Sequence, residues 1–195
     1  MRLKAENKAK VRARIVGGAA ALFRERGYDA VNLDHIMEAA GLTRGAFYAH
    51  FKSKAELFAD VARREHPILR LLQAREAGEP DALWTQMKAI FAGYLDVKNL
   101  DEVFNGCSLA ALTGEVSRAG DAVRAGFELA WQDVRKEMAR GQADLADQAS
   151  LDAALVLASG AVTTAMACSD ADQRQRVLSS AHHGFELLLK QARPE

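Results

Sequence analysis

The stretch IMEAAGLTRGAFYAHFKSK, residues 36 to 54, decides how this chain is read. Just before it, Asn32 stands where a side chain can cap a helix, Asp34 falls in that helix's first turn, and Leu33, Ile36 and Ala40 share one face. Gly41 breaks the helix almost at once, and Thr43 is placed to cap a third helix from Arg44 to about His50. Two short helices joined by a glycine-containing turn have the layout of a helix-turn-helix. Ser53 and Glu56, three residues apart, form a capping box, so a fourth helix begins near Lys54 and runs towards His66, where Pro67 permits a kink or a break. The amino end of that helix, with its unpaired amides and Lys54, favours an anion such as a phosphate.

Upstream, Val11, Ile15, Ala19, Leu22 and Phe23 recur at steps of three and four, which predicts a first helix from about Lys4 to Arg26, stopped at Gly27. Six of its first residues are basic: Arg2, Lys4, Lys8, Lys10, Arg12 and Arg14. The net charge of zero hides an uneven distribution, because residues 1–66 hold 13 Lys and Arg against 8 Asp and Glu, and the remainder has the reverse bias. A basic head on an acidic body points to a polyanion partner for the head.

Composition narrows the class further. There are only three prolines, helix formers dominate, and apolar residues rarely alternate with a period of two, so the fold is expected to be all-α. No apolar run approaches the roughly 20 residues of a membrane span, and the basic start lacks the apolar segment of a secretory signal, so a cytoplasmic protein is expected. Cys107 and Cys168 have no CxxC partner and no histidine at zinc-ligand spacing, which suggests reduced thiols and neither a metal nor a cofactor. No nucleophile with a base, carboxylate pair or phosphate loop stands at recognisable spacing. The nearest enzymatic alternative, a thiol peroxidase using Cys107, lacks a resolving CxxC.

Taken together, the small residue before the turn, the turn glycine, the capping hydroxyl, Gly45, the Tyr48-x-His50-Phe51 run and Lys54 closely resemble the DNA-binding signature of TetR-family regulators. The resemblance is strong over residues 10–60. It implies a helix-turn-helix DNA-binding domain over residues 1–60, followed by a helical ligand-binding and dimerisation domain over 61–195. It also implies a homodimer that binds a palindromic operator in double-stranded DNA as a repressor. Thr43, Arg44, Gly45, Tyr48, His50 and Lys54 are the expected DNA-contacting set, with Arg44 either reading a guanine edge or holding a phosphate. Phe47, Phe51 and Leu42 read as packing. Val31 and Asn32 replace the small hydroxyl residues usual in the family, although Asn32 still caps.

Beyond residue 66 the patterns are less diagnostic. Helices are expected over residues 69–77, from Asp81 through Tyr94, from Cys107 to Val116, from Asp121 to about Arg140, from Ser150 to Ala167 and from Asp172 to Gln191. The resemblance makes the last two a dimer-forming pair, and residues Arg63 to Leu72 the link between sensing and DNA binding. The run Asn105-Gly106-Cys107 resembles the glycine-cysteine helix start of a NemR-like subgroup that responds to electrophiles or oxidants. A cysteine at a helix amino terminus gains thiolate character, but a buried core cysteine is the bland alternative. The other expected input is a small apolar inducer in a pocket drawn from Trp84, Met87, Phe91, Tyr94, Phe104, Phe127, Trp131 and Met166. Such a stripe also reads as plain core.

Overall fold

A computed structural model describes residues 2–64, 66–76, 78–142 and 146–193. Every regular element among them is helical. In chain order these are α1 (Arg2–Arg26), α2 (Leu33–Ala39), α3 (Arg44–Phe47), α4 (Lys54–Arg64), α5 (Pro67–Gln73), α6 (Pro80–Tyr94), α7 (Leu100–Gly106), α8 (Ser108–Ala111), α9 (Thr113–Arg118), α10 (Asp121–Met138), α11 (Gln148–Ala167) and α12 (Ala171–Ala192), with a 3-10 turn at Val97–Asn99. They form two compact units, Met1–Glu65 with Ala111–Ala130, and His66–Ala110 with Trp131–Glu195. A linear division after residue 60 leaves the later segment out of the first unit. That segment belongs there because Leu112, Val116 and Val123 are buried in the same core as α1 to α4.

Local chemistry sets the helix ends of the first unit. Gly27 and Gly41 take the left-handed conformation, at φ 79° and 62°, where a side chain is strained. Asn32 caps α2 by accepting from the His35 amide at 2.9 Å, and the His35 ring returns to the Asn32 amide. At α4 the Ser53 hydroxyl accepts from the Glu56 amide at 3.1 Å, while the Glu56 carboxylate accepts from the Lys52 amide at 2.7 Å, one residue earlier than a capping box requires. Phe23, Ile36, Met37, Phe47, Phe51, Phe58 and Val61 fill the core between these helices. Each such side chain contributes about 1.5–3 kcal/mol on burial.

In the second unit, α11 and α12 pack along each other over a three-residue connection. Asp147 caps α11 through the Ser150 amide at 2.8 Å, and Asp170 caps α12 through the Gln173 amide at 2.7 Å. Ala154, Ala158 and Ala165 are fully buried on α11, as are Leu178 and Phe185 on α12, and Phe185 stacks on Phe91 of α6 with centroids 4.6 Å apart. Arg75 is buried in this unit, donating from Nε to the Leu72 carbonyl and from Nη1 to the Leu83 carbonyl, both at 2.8 Å, and from Nη2 to the Glu137 carbonyl. Those bonds offset the cost of burying its charge.

Three expectations change. The helix expected from Cys107 to Val116 is broken, because Cys107 is extended at φ −102°, ψ 109° and closes α7, and Leu112 leaves the helical region between α8 and α9. The third helix ends at Phe47 rather than near His50. One helix, Gln148–Ala167, is long and apolar enough to cross a bilayer by length and composition, contrary to the expectation that no run would be. Its apolar face packs on α12, and Asp152 within it pairs with Arg135 at 3.1 Å.

One close backbone approach inside the first unit carries a prediction. A Cβ at Gly126 of α10 would lie 2.8 Å from the Ala59 carbonyl oxygen of α4, where backbone leaves no room to yield. Gly126→Ala is expected to lower stability by about 0.5–2 kcal/mol, because an overpacking cost of about 1–3 kcal/mol outweighs the roughly 0.5–1 kcal/mol that alanine gains in a helix. A fall in the denaturant midpoint of the purified protein checks it.

Candidate nucleic-acid interface

The third helix, α3, is only four residues long, so its orientation is fixed by what lies under it and beside it. Phe47 and Phe51 are buried, with rings 5.7 Å apart, and the Arg12 guanidinium lies 4.1 Å above the Phe51 ring. Arg12 also donates from Nη1 to the His50 carbonyl at 2.8 Å and pairs through Nη2 with Asp60 at 3.3 Å. The turn before α3 is held by Arg14, whose Nη2 donates to the Ala40 carbonyl at 2.5 Å. A Cβ at Gly41 would come within 2.9 Å of that nitrogen. Spacing along α1 could not reveal these inward uses of Arg12 and Arg14, since their partners lie 26 or more residues away.

The expected DNA-contacting residues divide. Tyr48 is 61% exposed, and its ring meets Phe47 edge-on at 5.4 Å. Among the described residues, no heavy atom beyond its own helix backbone and chain neighbours lies within 4 Å of where a Cβ at Gly45 would stand, so no packing contact there requires glycine. Arg44 is exposed and bonded to Asp34, with Nη1 2.8 Å from Oδ2. Thr43 occupies the N-cap position with extended backbone, but its hydroxyl makes no cap bond, which corrects the role assigned to it. Thr43 as a residue is exposed.

Lys54 is committed inward to an extent the sequence did not reveal. Its Nζ donates to the Tyr28 and Val31 carbonyls, both at 2.8 Å, and lies 4.0 Å from the Tyr28 ring centroid. Lys54 therefore ties the α1–α2 connection to the start of α4, and one N–H of its three remains for an outside acceptor. His50 is half-buried, and its Nδ1 has no hydrogen-bond partner among the described residues. Burial, then Lys8 and Arg12, pushes its imidazole below the ordinary 6.5.

The second unit holds a separate hollow of about 540 Å³, walled mainly by Ile68, Leu71, Ile90, Tyr94, Val103 and Cys107. Of the aromatic residues expected to line a pocket, only Tyr94 does so here. Met87 and Phe91 are fully buried, the latter stacked on Phe185; Trp84 borders a different, more polar hollow with Lys88 and Glu186; and the Trp131 indole donates to Asp152 at 3.3 Å. Phe104 is half-buried and off the walls of this hollow. Cys107 is 1% exposed, and its sulfur accepts from the Tyr94 hydroxyl at 3.4 Å. Burial, then Cys107, pushes the Tyr94 phenol well above its ordinary range. No group of three or more metal-ligating side chains is gathered among the described residues.

Two measurements test this geometry. Lys54→Met, similar in length but without donors, should cost about 1–3 kcal/mol of stability, since it leaves two carbonyls without their charged partner; a denaturation midpoint equal to that of the native chain contradicts the inward role. For His50, the unfolded chain binds more protons between the lowered native pKa and 6.5, so the contribution to stability is complete above 6.5 and is lost as pH falls through the native value. His50→Asn should remove that component from the pH profile of the unfolding midpoint.

The chain is similar to known proteins in its helix-turn-helix segment and in its fold. Residues 15–61 match the family described as bacterial regulatory proteins, tetR family. The chain is 37% identical over 84 residues to the transposon Tn10 TetC protein of Escherichia coli, a match covering 42% of this chain and 41% of TetC, so it spans about two-fifths of that relative's length. In fold it is similar to the reduced form of E. coli NemR, with a TM-score of 0.69 at 17% identity over 91% of this chain and 96% of NemR. It is similar also to SCO4454, a TetR-family transcriptional regulator from Streptomyces coelicolor, with a TM-score of 0.68 at 21% identity over 94% and 96% of the two chains. Residues 15–61 thus carry the helix-turn-helix of the tetR family of bacterial regulatory proteins, and the all-α fold is similar to that of solved TetR-family regulators.

Proposed function

We propose that this protein represses transcription as a homodimer, occupying a palindromic operator in double-stranded DNA and leaving it when a small molecule fills the hollow beside Cys107. The observation that carries the DNA-binding part is the outward set on α3 and its C-cap: Arg44, Gly45 and Tyr48 are exposed, and the missing side chain of Gly45 leaves open space. A glycine that its own protein does not need suits a helix that must approach a groove closely. Thr43, His50 and the remaining N–H of Lys54 flank that set as phosphate ligands, with Lys8 close enough to His50 to act on its charge.

Dimer formation is supported by the α11–α12 pair. Val156 is 58% exposed and Leu187 48% exposed, and an open hollow of about 670 Å³ runs past Leu157, Gly160, Val177 and Gly184. Small residues beside apolar ones on two neighbouring helices suit a four-helix contact with a second copy. A two-fold dimer presents two recognition helices to a palindrome.

The input follows from the hollow in the second unit. Aliphatic walls with a few polar groups suit a small, largely apolar inducer. Release then requires only that the inducer bind the DNA-free form more tightly. A second reading is favoured by one observation, since Cys107 lines the hollow and its sulfur accepts a hydrogen bond from the Tyr94 hydroxyl. An electrophile or oxidant small enough to enter would modify Cys107 and produce the same release.

Selection of bound duplexes from a random pool tests the central part. A single enriched palindrome is expected, with log K falling by about 0.9 per neutralised phosphate as log salt rises, and Tyr48→Ala weakening binding across sequences. A pool that yields no enriched palindrome contradicts the proposal. Cys107→Ser separates the two inputs: electrophile-driven release that persists unchanged removes the covalent reading, whereas its loss supports it.

A further inference from the structure

Arg44 begins the recognition helix, and it does not stand there alone. Its Nη1 donates to both carboxylate oxygens of Asp34 in the first turn of α2, at 3.2 Å to Oδ1 and 2.8 Å to Oδ2. The two side chains are 60% and 61% exposed. An ion pair so open to water adds little to folding stability. Its larger consequence is geometric. A guanidinium held by one terminal nitrogen loses much of its rotational freedom and keeps the edge formed by Nε and Nη2, which has no partner among the described residues. That edge presents two parallel donors, the arrangement that meets the O6 and N7 acceptors of guanine in the major groove.

The carboxylate also alters what Arg44 gains from DNA in general. A free surface arginine strengthens binding to any duplex by neutralising a phosphate. Arg44 already has an anion beside it, so that gain is largely cancelled, and the Asp34 charge is itself repelled by the phosphate backbone. What remains is attraction to a partner with two acceptors in one plane. Raising discrimination while lowering affinity for unrelated sequence is how specificity is built against wrong partners.

We propose that Asp34 is a positioning residue that sets base specificity, aiming Arg44 at a guanine and suppressing its use as a general phosphate ligand. The inference rests on the reading of Arg44 as a base-contacting residue given above. It adds a role for Asp34, which the helix-turn-helix signature does not use.

The test uses the full chain in four forms: native, Asp34→Asn, Arg44→Ala and the double variant. Each is titrated with the selected palindrome, with duplexes substituted one base pair at a time in each half-site, and with an unrelated duplex at two or more salt concentrations. Asp34→Asn is expected to bind the unrelated duplex more tightly, with a salt slope steeper by about 0.9, as one more phosphate is neutralised. It should also lose about fivefold or more of the preference for guanine at one position of each half-site, the lower end of what a good bidentate contact supplies. On the Arg44→Ala background the same change should leave base preference unaltered. Asp34→Glu, which keeps the charge, should restore weak binding to the unrelated duplex, and an unchanged thermal midpoint separates these effects from misfolding. If Arg44→Ala abolishes the guanine preference but Asp34→Asn leaves it intact, the role of Asp34 is overturned and that of Arg44 stands. If Arg44→Ala leaves every base preference intact, the reading of Arg44 fails and the inference fails with it.

Discussion

A recognition helix of four residues cannot hold itself in shape, because one turn of helix costs more in ordering than its hydrogen bonds return. The outward side of α3 therefore depends on the burial of Phe47 and Phe51, whose rings fix the helix from beneath. Arg12 stacked on Phe51 closes one side of that seat, and Arg14 at the Ala40 carbonyl holds the turn that leads into it. The later segment of Leu112, Val116 and Val123 completes the same core, so a helix-turn-helix that looks local in the chain is finished by residues some 60 positions away.

This arrangement divides the basic residues into two groups. Arg12, Arg14 and Lys54 spend their donors on carbonyls, on Asp60 or on aromatic faces within the first unit. Lys8 and Lys10 are exposed, and Arg44 is exposed with its charge balanced by Asp34. The excess of positive charge in the first 66 residues is thus partly architectural. Counting it overstates the charge available to a phosphate backbone, since a guanidinium already bonded inward has fewer donors to offer.

Features set by neighbours in sequence were legible, and features set by distant partners were not. Asn32, Gly27, Gly41 and Ser53 act within three or four residues, so their roles could be read directly, whereas Thr43 fills its position without making the bond. The inward turn of Lys54 depends on where Tyr28 and Val31 arrive after folding, which spacing alone does not encode. The hollow in the second unit was misassigned for a similar reason. Large aromatic side chains such as Phe91 and Phe185 fill space against each other, and the room is left beside shorter aliphatic residues, Ile68, Leu71, Ile90 and Val103. Cys107 was singled out for its place at a helix start, yet it closes α7 in extended backbone, and its relevance comes from lying on the wall of that hollow.

On the proposed reading, α3 and the adjoining Tyr48 meet DNA with what the first unit leaves facing outward: the open side of Gly45, Tyr48 and the Nε–Nη2 edge of Arg44. Backbone and arginine side-chain NMR signals of the intact protein, followed as an operator duplex is added, test this most directly. The account predicts that the largest shifts fall on Gly45, Tyr48 and the Arg44 Nε–H, with the Arg12 and Arg14 guanidinium signals little changed. Shifts that leave α3 untouched and gather elsewhere on the chain would contradict it.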